Sequence, residues 1–254
     1  MVNNASAISD GTEKSSNATA TPQPLTQAGV CLTFDDRSIT EWEAMLPVFD
    51  KYNAHITFFV SGEIGEAEAV RLKAIEARGH AIGAHGLIHD HYRKCVENKG
   101  MTPEEYANWD SLGQMASFRK YGINIMSYAC PMSSRDEKLD ELLKPHFRHI
   151  RCGIYLQPNE RLVDMDEAFV PIADVAKHFY FKGKGIDHNP DYTCEMVDDA
   201  MARAASRKEL LVLYSHNIVP DPYEGHHVEP AEVERVLQKG QALGLRFYSF
   251  NELP

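Results

Sequence analysis

Basic residues are in short supply: 26 Lys and Arg stand against 37 Asp and Glu, a formal net charge of -11 at pH 7. Nucleic acid and anionic membrane surfaces both need a basic footprint, so neither fits as a partner, and a neutral or cationic ligand fits better. Long apolar runs are missing as well. No stretch approaches the roughly 20 consecutive apolar residues that a membrane-spanning helix needs. The N-terminus lacks the basic-then-apolar order of a secretory signal, so the expectation is either a cytoplasmic protein or one whose signal has been removed. Cysteine is sparse and unpaired: Cys31, Cys95, Cys130, Cys152 and Cys194 include no Cys-x-x-Cys, which argues against a zinc–cysteine site or a dense disulfide framework. These thiols read as small core residues.

Large apolar side chains are also scarce over residues 1–28, which are rich in Ser, Thr, Asn and Ala and read as a flexible polar tail. The Asn4 and Asn17 sequons there arise easily in polar sequence and carry no weight. From Gly29 onward the texture changes, and an apolar content of 43% is ample for one sizeable core over residues 29–254. Short runs rich in β-branched and aromatic residues read as strands: VCLTF, HITFFV, HAIGA, INIMSYA, FRHIRCGIY, HFYFKG, ELLVLY and LRFYSF. Helical patterns lie between them over residues 40–52, 66–78, 102–121, 136–144, 191–207 and 230–243, several with capping residues or a glycine stop. Such alternation calls for an α/β fold with a parallel sheet wrapped by helices, and at this length for a (β/α) barrel of about seven strands.

Catalytic residues of such barrels stand at the C-terminal ends of strands. The first strand ends in Asp35 and Asp36, two adjacent carboxylates that also suit the start of a turn. After the third strand come His85 and His89, whose imidazoles can converge on zinc or a similar borderline metal; His91 reads as a neighbour. The late strand ELLVLY delivers His216 to the same rim, where it can give a proton to a leaving group or simply cap the strand.

With TFDD after the first strand, His-x-x-x-His after the third, YACP at a strand end and a late strand ending in histidine, the chain resembles the polysaccharide deacetylases of carbohydrate esterase family 4, the NodB-homology domain. The HITFFV strand is similar to the family's form too, and the resemblance spans residues 29–254. It implies a distorted barrel of NodB-homology type. It also implies a metal-dependent hydrolase removing N- or O-linked acetyl groups from a carbohydrate, with an N-acetylglucosamine-containing glycan as the expected partner. By the same resemblance Asp35 is the general base, Asp36, His85 and His89 hold one divalent ion (zinc, with cobalt or nickel as substitutes), and His216 is the general acid. An ion with three protein ligands and open positions polarises a carbonyl and lowers the pKa of water.

Departures from the family pattern are informative. Gly86 stands where Ser or Thr usually follows the first histidine, so a supporting hydrogen bond must come from elsewhere. Ala129, Cys130, Pro131 and Met132 replace the usual Arg-Pro-Pro-Tyr, removing an arginine and an aromatic wall. Met132 can still offer its backbone N–H to an oxyanion. Arg37 and Arg151 are the candidates to replace the arginine, and Asp187 is the acid placed to orient His216. Tyr223 and the Gly225-His226-His227 stretch can line a sugar groove or belong to a solvated loop, and the acidic run at 164–167 reads as a solvated helix start. Two alternative readings stay open: an amidase or imidase acting on a small molecule, and a catalytically degenerate glycan-binding barrel. Glycan substrates imply an extracytoplasmic location with the signal removed; oligomeric state is not legible.

Overall fold

Alternation along each strand is what sorts the side chains of this protein into two layers. The computed structural model describes residues 23–157, 159–188 and 193–254. Its principal strands are β1 (Gly29–Asp36), β2 (Thr57–Val60), β3 (Ala81–Ala84), β4 (Ser127–Ala129), β5 (His149–Ile154), β6 (Phe169–Pro171), β7 (Tyr180–Gly185) and β8 (Glu209–Ser215). All but β6 run parallel in the order β1-β2-β3-β4-β5-β7-β8, and β8 pairs back onto β1 from Gly29↔Leu210 to Phe34↔Ser215. This is the expected closed, distorted barrel of seven parallel strands.

Successive strand residues face opposite sides of a sheet. Val30, Leu32 and Phe34 of β1, Phe58 and Val60 of β2, and Leu211 and Leu213 of β8 join the main apolar core, which includes Trp42, Phe49, Leu72 and Val233 from the surrounding helices. Their neighbours Cys31, Phe59, Leu210 and Val212 join a smaller cluster with Ala129 and Phe181, which fills the barrel lumen. The same parity puts Asp35 and Arg151 on the lumen side, both essentially buried.

The helices are α1 (Ile39–Lys51), α2 (Glu66–Glu76), α3 (Tyr92–Lys99), α4 (Pro103–Tyr106), α5 (Gly113–Arg119), α6 (Glu137–Leu143), α7 (Cys194–Arg207) and α8 (Pro230–Ala242). The single helix expected over 102–121 is interrupted by a π-helical segment, Ala107–Leu112, whose Asp110 and Ser111 are fully buried. Thr102 caps its start by accepting the Glu105 N–H at 3.1 Å. The acidic run forms two short 3-10 turns, Leu162–Asp164 and Asp166–Ala168, because Asp166 is drawn to Arg203 at 2.8 Å.

The distortion has a local cause. β7 and β8 share only Lys184↔Leu213 and Gly185↔Tyr214, and below them β6, a strand with no sequence signal, inserts antiparallel against β8. Beyond β8, the short β9 (Asn217–Ile218) and β10 (His227–Val228) pair with each other, while β11 (Arg246–Phe247) pairs with the start of β1. Leu25 packs on the lumen cluster and the Gln27 amide donates to Gly244 O at 2.8 Å, so ordered contacts begin before Gly29. Residues 1–22, including Asn4 and Asn17, lie outside the described residues, as does Asp191 at the expected start of α7.

Candidate metal centre and active site

At the C-terminal rim a cavity of about 560 Å³ is lined by Asp35, Asp36, His85, His89, Met132, Arg151, Tyr155, Asp187, Tyr214, His216 and His226. The adjacent carboxylates of Asp35 and Asp36 are separated by backbone geometry. Asp35 keeps the lumen side of β1, whereas Asp36 has φ of 76°, which turns its side chain onto the rim instead of into the outer core. Its Oδ1 lies 3.3 Å from His89 Nε2 and 3.8 Å from His85 Nε2.

The two histidines converge through a loop, not a helix. His85 follows β3 with its N–H donated to Val60 O, and His89 has φ of 51°, bringing the two Nε2 atoms to 3.2 Å. His85 Nδ1 donates to Ala129 O at 2.9 Å, which keeps a proton on that nitrogen and leaves Nε2 as the lone pair facing the rim. Burial pushes the His85 imidazole well below its ordinary pKa, so it is neutral, as a ligand must be. Ligand atoms around one tetrahedral zinc stand about 3.3 Å apart. The donors of Asp36, His85 and His89, all within 4.8 Å of one another, fit that requirement in chemistry and in spacing.

Asp110 supplies what the Gly86 departure removes. Its backbone oxygen accepts the Leu87 N–H at 3.1 Å, its Oδ1 accepts the Ile88 N–H at 2.9 Å, and its Oδ2 accepts the Tyr128 hydroxyl at 2.9 Å. Gly86 has φ of +83°, and a Cβ there would lie 2.7 Å from Asp110 Oδ2. The glycine and the buried carboxylate are therefore one device that shapes the histidine loop. Its sequence signal was faint: an acid four residues after Tyr106, on the buried face of a helical pattern.

Arg151, from β5, meets the Asp35 carboxylate, both side chains being almost wholly buried. Burial raises the Asp35 pKa, but Arg151 first, then His85 and His216, outweigh it, and the net shift is downward. Arg151 also stacks over Tyr214 with 4.5 Å to the ring centroid. Room for the pair comes from glycines: a Cβ on Gly153 would sit 2.7 Å from the Tyr214 hydroxyl, and one on Gly183 3.4 Å from Arg151 Cδ. Arg37, the other candidate, is not there. Its guanidinium holds Glu68 at 2.6 Å and the Ser61 and Glu63 carbonyls, tying the β2–α2 connection to the end of β1.

His216 follows β8 and its Nδ1 donates to Asp187 Oδ2 at 2.9 Å, while the His216 N–H and the Ser215 hydroxyl both donate to Asp187 Oδ1. Burial depresses the imidazole, but the Asp187 hydrogen bond and the charges of Asp35, Asp187 and Asp36 more than offset this, so its pKa is raised. Met132 is half exposed on the cavity wall with φ of 51°. Tyr223 is not on this wall. The loop carries it to a neighbouring cavity with His188 and His227, because His226 and His227 point to opposite sides and only His226 faces His216. The aromatic lining that the third motif lacks comes from Tyr155 and Tyr214, at the ends of β5 and β8, which sequence reasoning passed over.

The family model for polysaccharide deacetylases matches residues 23–146, the stretch holding Asp35, Asp36, His85 and His89. Over that stretch the chain is similar to the polysaccharide deacetylase family. Solved structures share its fold at low identity. The catalytic domain of a peptidoglycan N-acetylglucosamine deacetylase from Eubacterium rectale is 20% identical over 92% of this chain and 93% of that one, with a TM-score of 0.53. The peptidoglycan deacetylase PdaC from Bacillus subtilis is 16% identical over 89% of each chain, with a TM-score of 0.54. A mutant of a carbohydrate esterase family 4 pseudoenzyme is 14% identical over 92% of this chain and 71% of that one, with a TM-score of 0.56. No curated protein sequence matches.

Proposed function

We propose that this chain is a metal-dependent hydrolase that removes acetyl groups from an N-acetylglucosamine-containing glycan, with Asp36, His85 and His89 holding one divalent ion, zinc before cobalt or nickel. The observation that carries this reading is the pairing of its two proton-transfer groups: Arg151 meets Asp35 and favours its ionised form, and Asp187 holds His216 and favours its protonated form, both groups lining the cavity of the three donors. When bound, the ion polarises the acetyl carbonyl and acidifies water. Asp35 takes the proton of the attacking water, and His216 gives one to the departing amine or alcohol. Met132 contributes its backbone N–H to the developing oxyanion, and Tyr155 and Tyr214 give the sugar apolar faces.

Peptidoglycan and N-acetylglucosamine are named for proteins of the same fold, which makes acetylated glucosamine oligomers the first substrates to try. A pseudoenzyme also shares the fold, and the altered third motif keeps a binding-only barrel in view. A binder needs neither an ionised Asp35 nor a protonated His216. Acting on glycans, the protein would work outside the cytoplasm; among the described residues no helix is long and apolar enough to cross a membrane.

Acetate release from N-acetylchitooligosaccharides, measured before chelation, after it and after zinc is restored, tests the reading. The expected result is loss on chelation and recovery with zinc. Oligosaccharide binding without acetate release at any metal level would mean a binding barrel, and turnover of small amides or imides alone would move the substrate class.

Asp110 gives a further expectation. Asp110→Ala removes the carboxylate's bond to the Ile88 N–H in the histidine loop and its bond to the Tyr128 hydroxyl on β4, and losses among groups supporting a metal ligand run to about 10–100-fold in affinity. Zinc titration of the variant is expected to fall in that range with the barrel still folded by circular dichroism. Unchanged zinc affinity would show that the loop holds its shape without Asp110.

A further inference from the structure

On the far side of the loop that carries His226, the cavity holding Tyr223 has a volume of about 760 Å³ and contains a second group of metal-ligand type. Asp221 bridges two histidines: its Oδ2 lies 2.7 Å from His188 Nδ1 and its Oδ1 lies 2.7 Å from His227 Nε2. The three residues come from two separate segments, the connection that follows β7 and the stretch from the β9–β10 loop into β10. Their backbones are joined by the His188 N–H donating to His227 O at 2.7 Å.

His227 decides the chemistry. It is 4% exposed, and its Nδ1 donates to Gly225 O at 3.0 Å. That commitment repeats the arrangement of His85 with Ala129 O, in which the carbonyl fixes the tautomer and leaves Nε2 with its lone pair. In the neutral ring, Nε2 of His227 and Oδ1 of Asp221 are then two acceptors face to face. Such a contact is satisfied by an additional proton or by a cation. We propose that His188, Asp221 and His227 form a second divalent-metal site of the two-histidine, one-carboxylate type, a donor set suited to zinc.

The geometry needs little change. The three donor atoms already lie within 4.8 Å of one another, and zinc asks for about 3.3 Å between ligand atoms, so the two contacts open by a few tenths of an ångström. His188 is well exposed and free to swing, while His227 stays fixed by Gly225. A metal here ties the β7 connection to the β9–β10 loop. It thereby fixes His226, whose ring centroid is 4.9 Å from that of His216, on the wall of the first cavity.

This site stands apart from the hydrolase reading and is tested without activity. Metal-free protein is titrated with zinc alone, and bound metal is counted by elemental analysis after gel filtration. Wild type is expected to hold two ions per chain and His85→Ala to keep one. In the His85→Ala background, His188→Ala and Asp221→Asn, both at exposed or half-exposed positions that leave the fold intact, should weaken the remaining ion at least tenfold. A wild type that holds a single ion lost in His85→Ala would overturn the proposal. So would a second ion indifferent to both variants but lost in His226→Ala, which would assign it to Asp187, His216 and His226.

Discussion

His216→Ala should leave bound zinc unchanged while acetate release falls by about two to four orders of magnitude. The expectation follows from how the ring is held. Its Nδ1 is committed to Asp187, so its other nitrogen is the one available to the cavity, and the cavity's negative charges favour the imidazolium that a general acid must be. With the pKa raised, His216 stays protonated up to a pH above the ordinary histidine value of about 6.5, and the basic limb of the rate profile lies above it. Asp187→Asn removes the largest favourable contribution, so that limb should move to lower pH with a smaller loss of rate. If zinc disappears together with activity in His216→Ala, His216 is a ligand and the division of roles fails.

Which parts of this site could be read from sequence follows from what periodicity encodes. Strand ends are marked by the change from alternating apolar residues to polar ones, so Asp35, Asp36, His85, His89 and His216 were all legible as rim residues. Arg151 was readable in principle: in His149–Ile154 the apolar Ile150, Cys152 and Ile154 face the outer core, which leaves Arg151 on the lumen side beside Asp35. Arg37 looked equally good only because sequence distance from Asp35 says nothing about which way a loop residue turns. Loop paths were the illegible part. Tyr223 sits seven residues beyond His216, yet the intervening chain carries it to another cavity. Asp110 was hidden because a helical pattern gives no notice of a π-segment, and β6 because three residues of antiparallel pairing leave no periodic trace.

Asp35→Asn is expected to keep zinc bound while turnover drops by about two orders of magnitude or more, because asparagine preserves the shape of the group and abolishes its basicity. The contrast with Asp36 is sharp: the same substitution there removes a ligand and should release the ion. Arg151 supplies the second half of the test. Burial alone would raise the Asp35 carboxyl, and the guanidinium is the leading influence bringing it down, so wild type keeps the base ionised well into the acid range. Arg151→Met leaves burial less opposed, and the acidic limb of the rate profile should move toward neutrality; Arg37→Ala, whose side chain serves Glu68, should not move it. Stability carries the same sign. A carboxylate whose folded pKa is depressed stabilises the fold above its unfolded pKa and loses that contribution as the pH falls. Either single substitution strands one buried partner, at a cost of roughly 3–5 kcal/mol, and the double variant, with no buried charge left at the pair, should recover part of it. Urea unfolding of the two single variants and the double reads that recovery. An Asp35→Asn protein with full activity would remove the base role, and an acidic limb unmoved in Arg151→Met would show that Arg151 does not tune it.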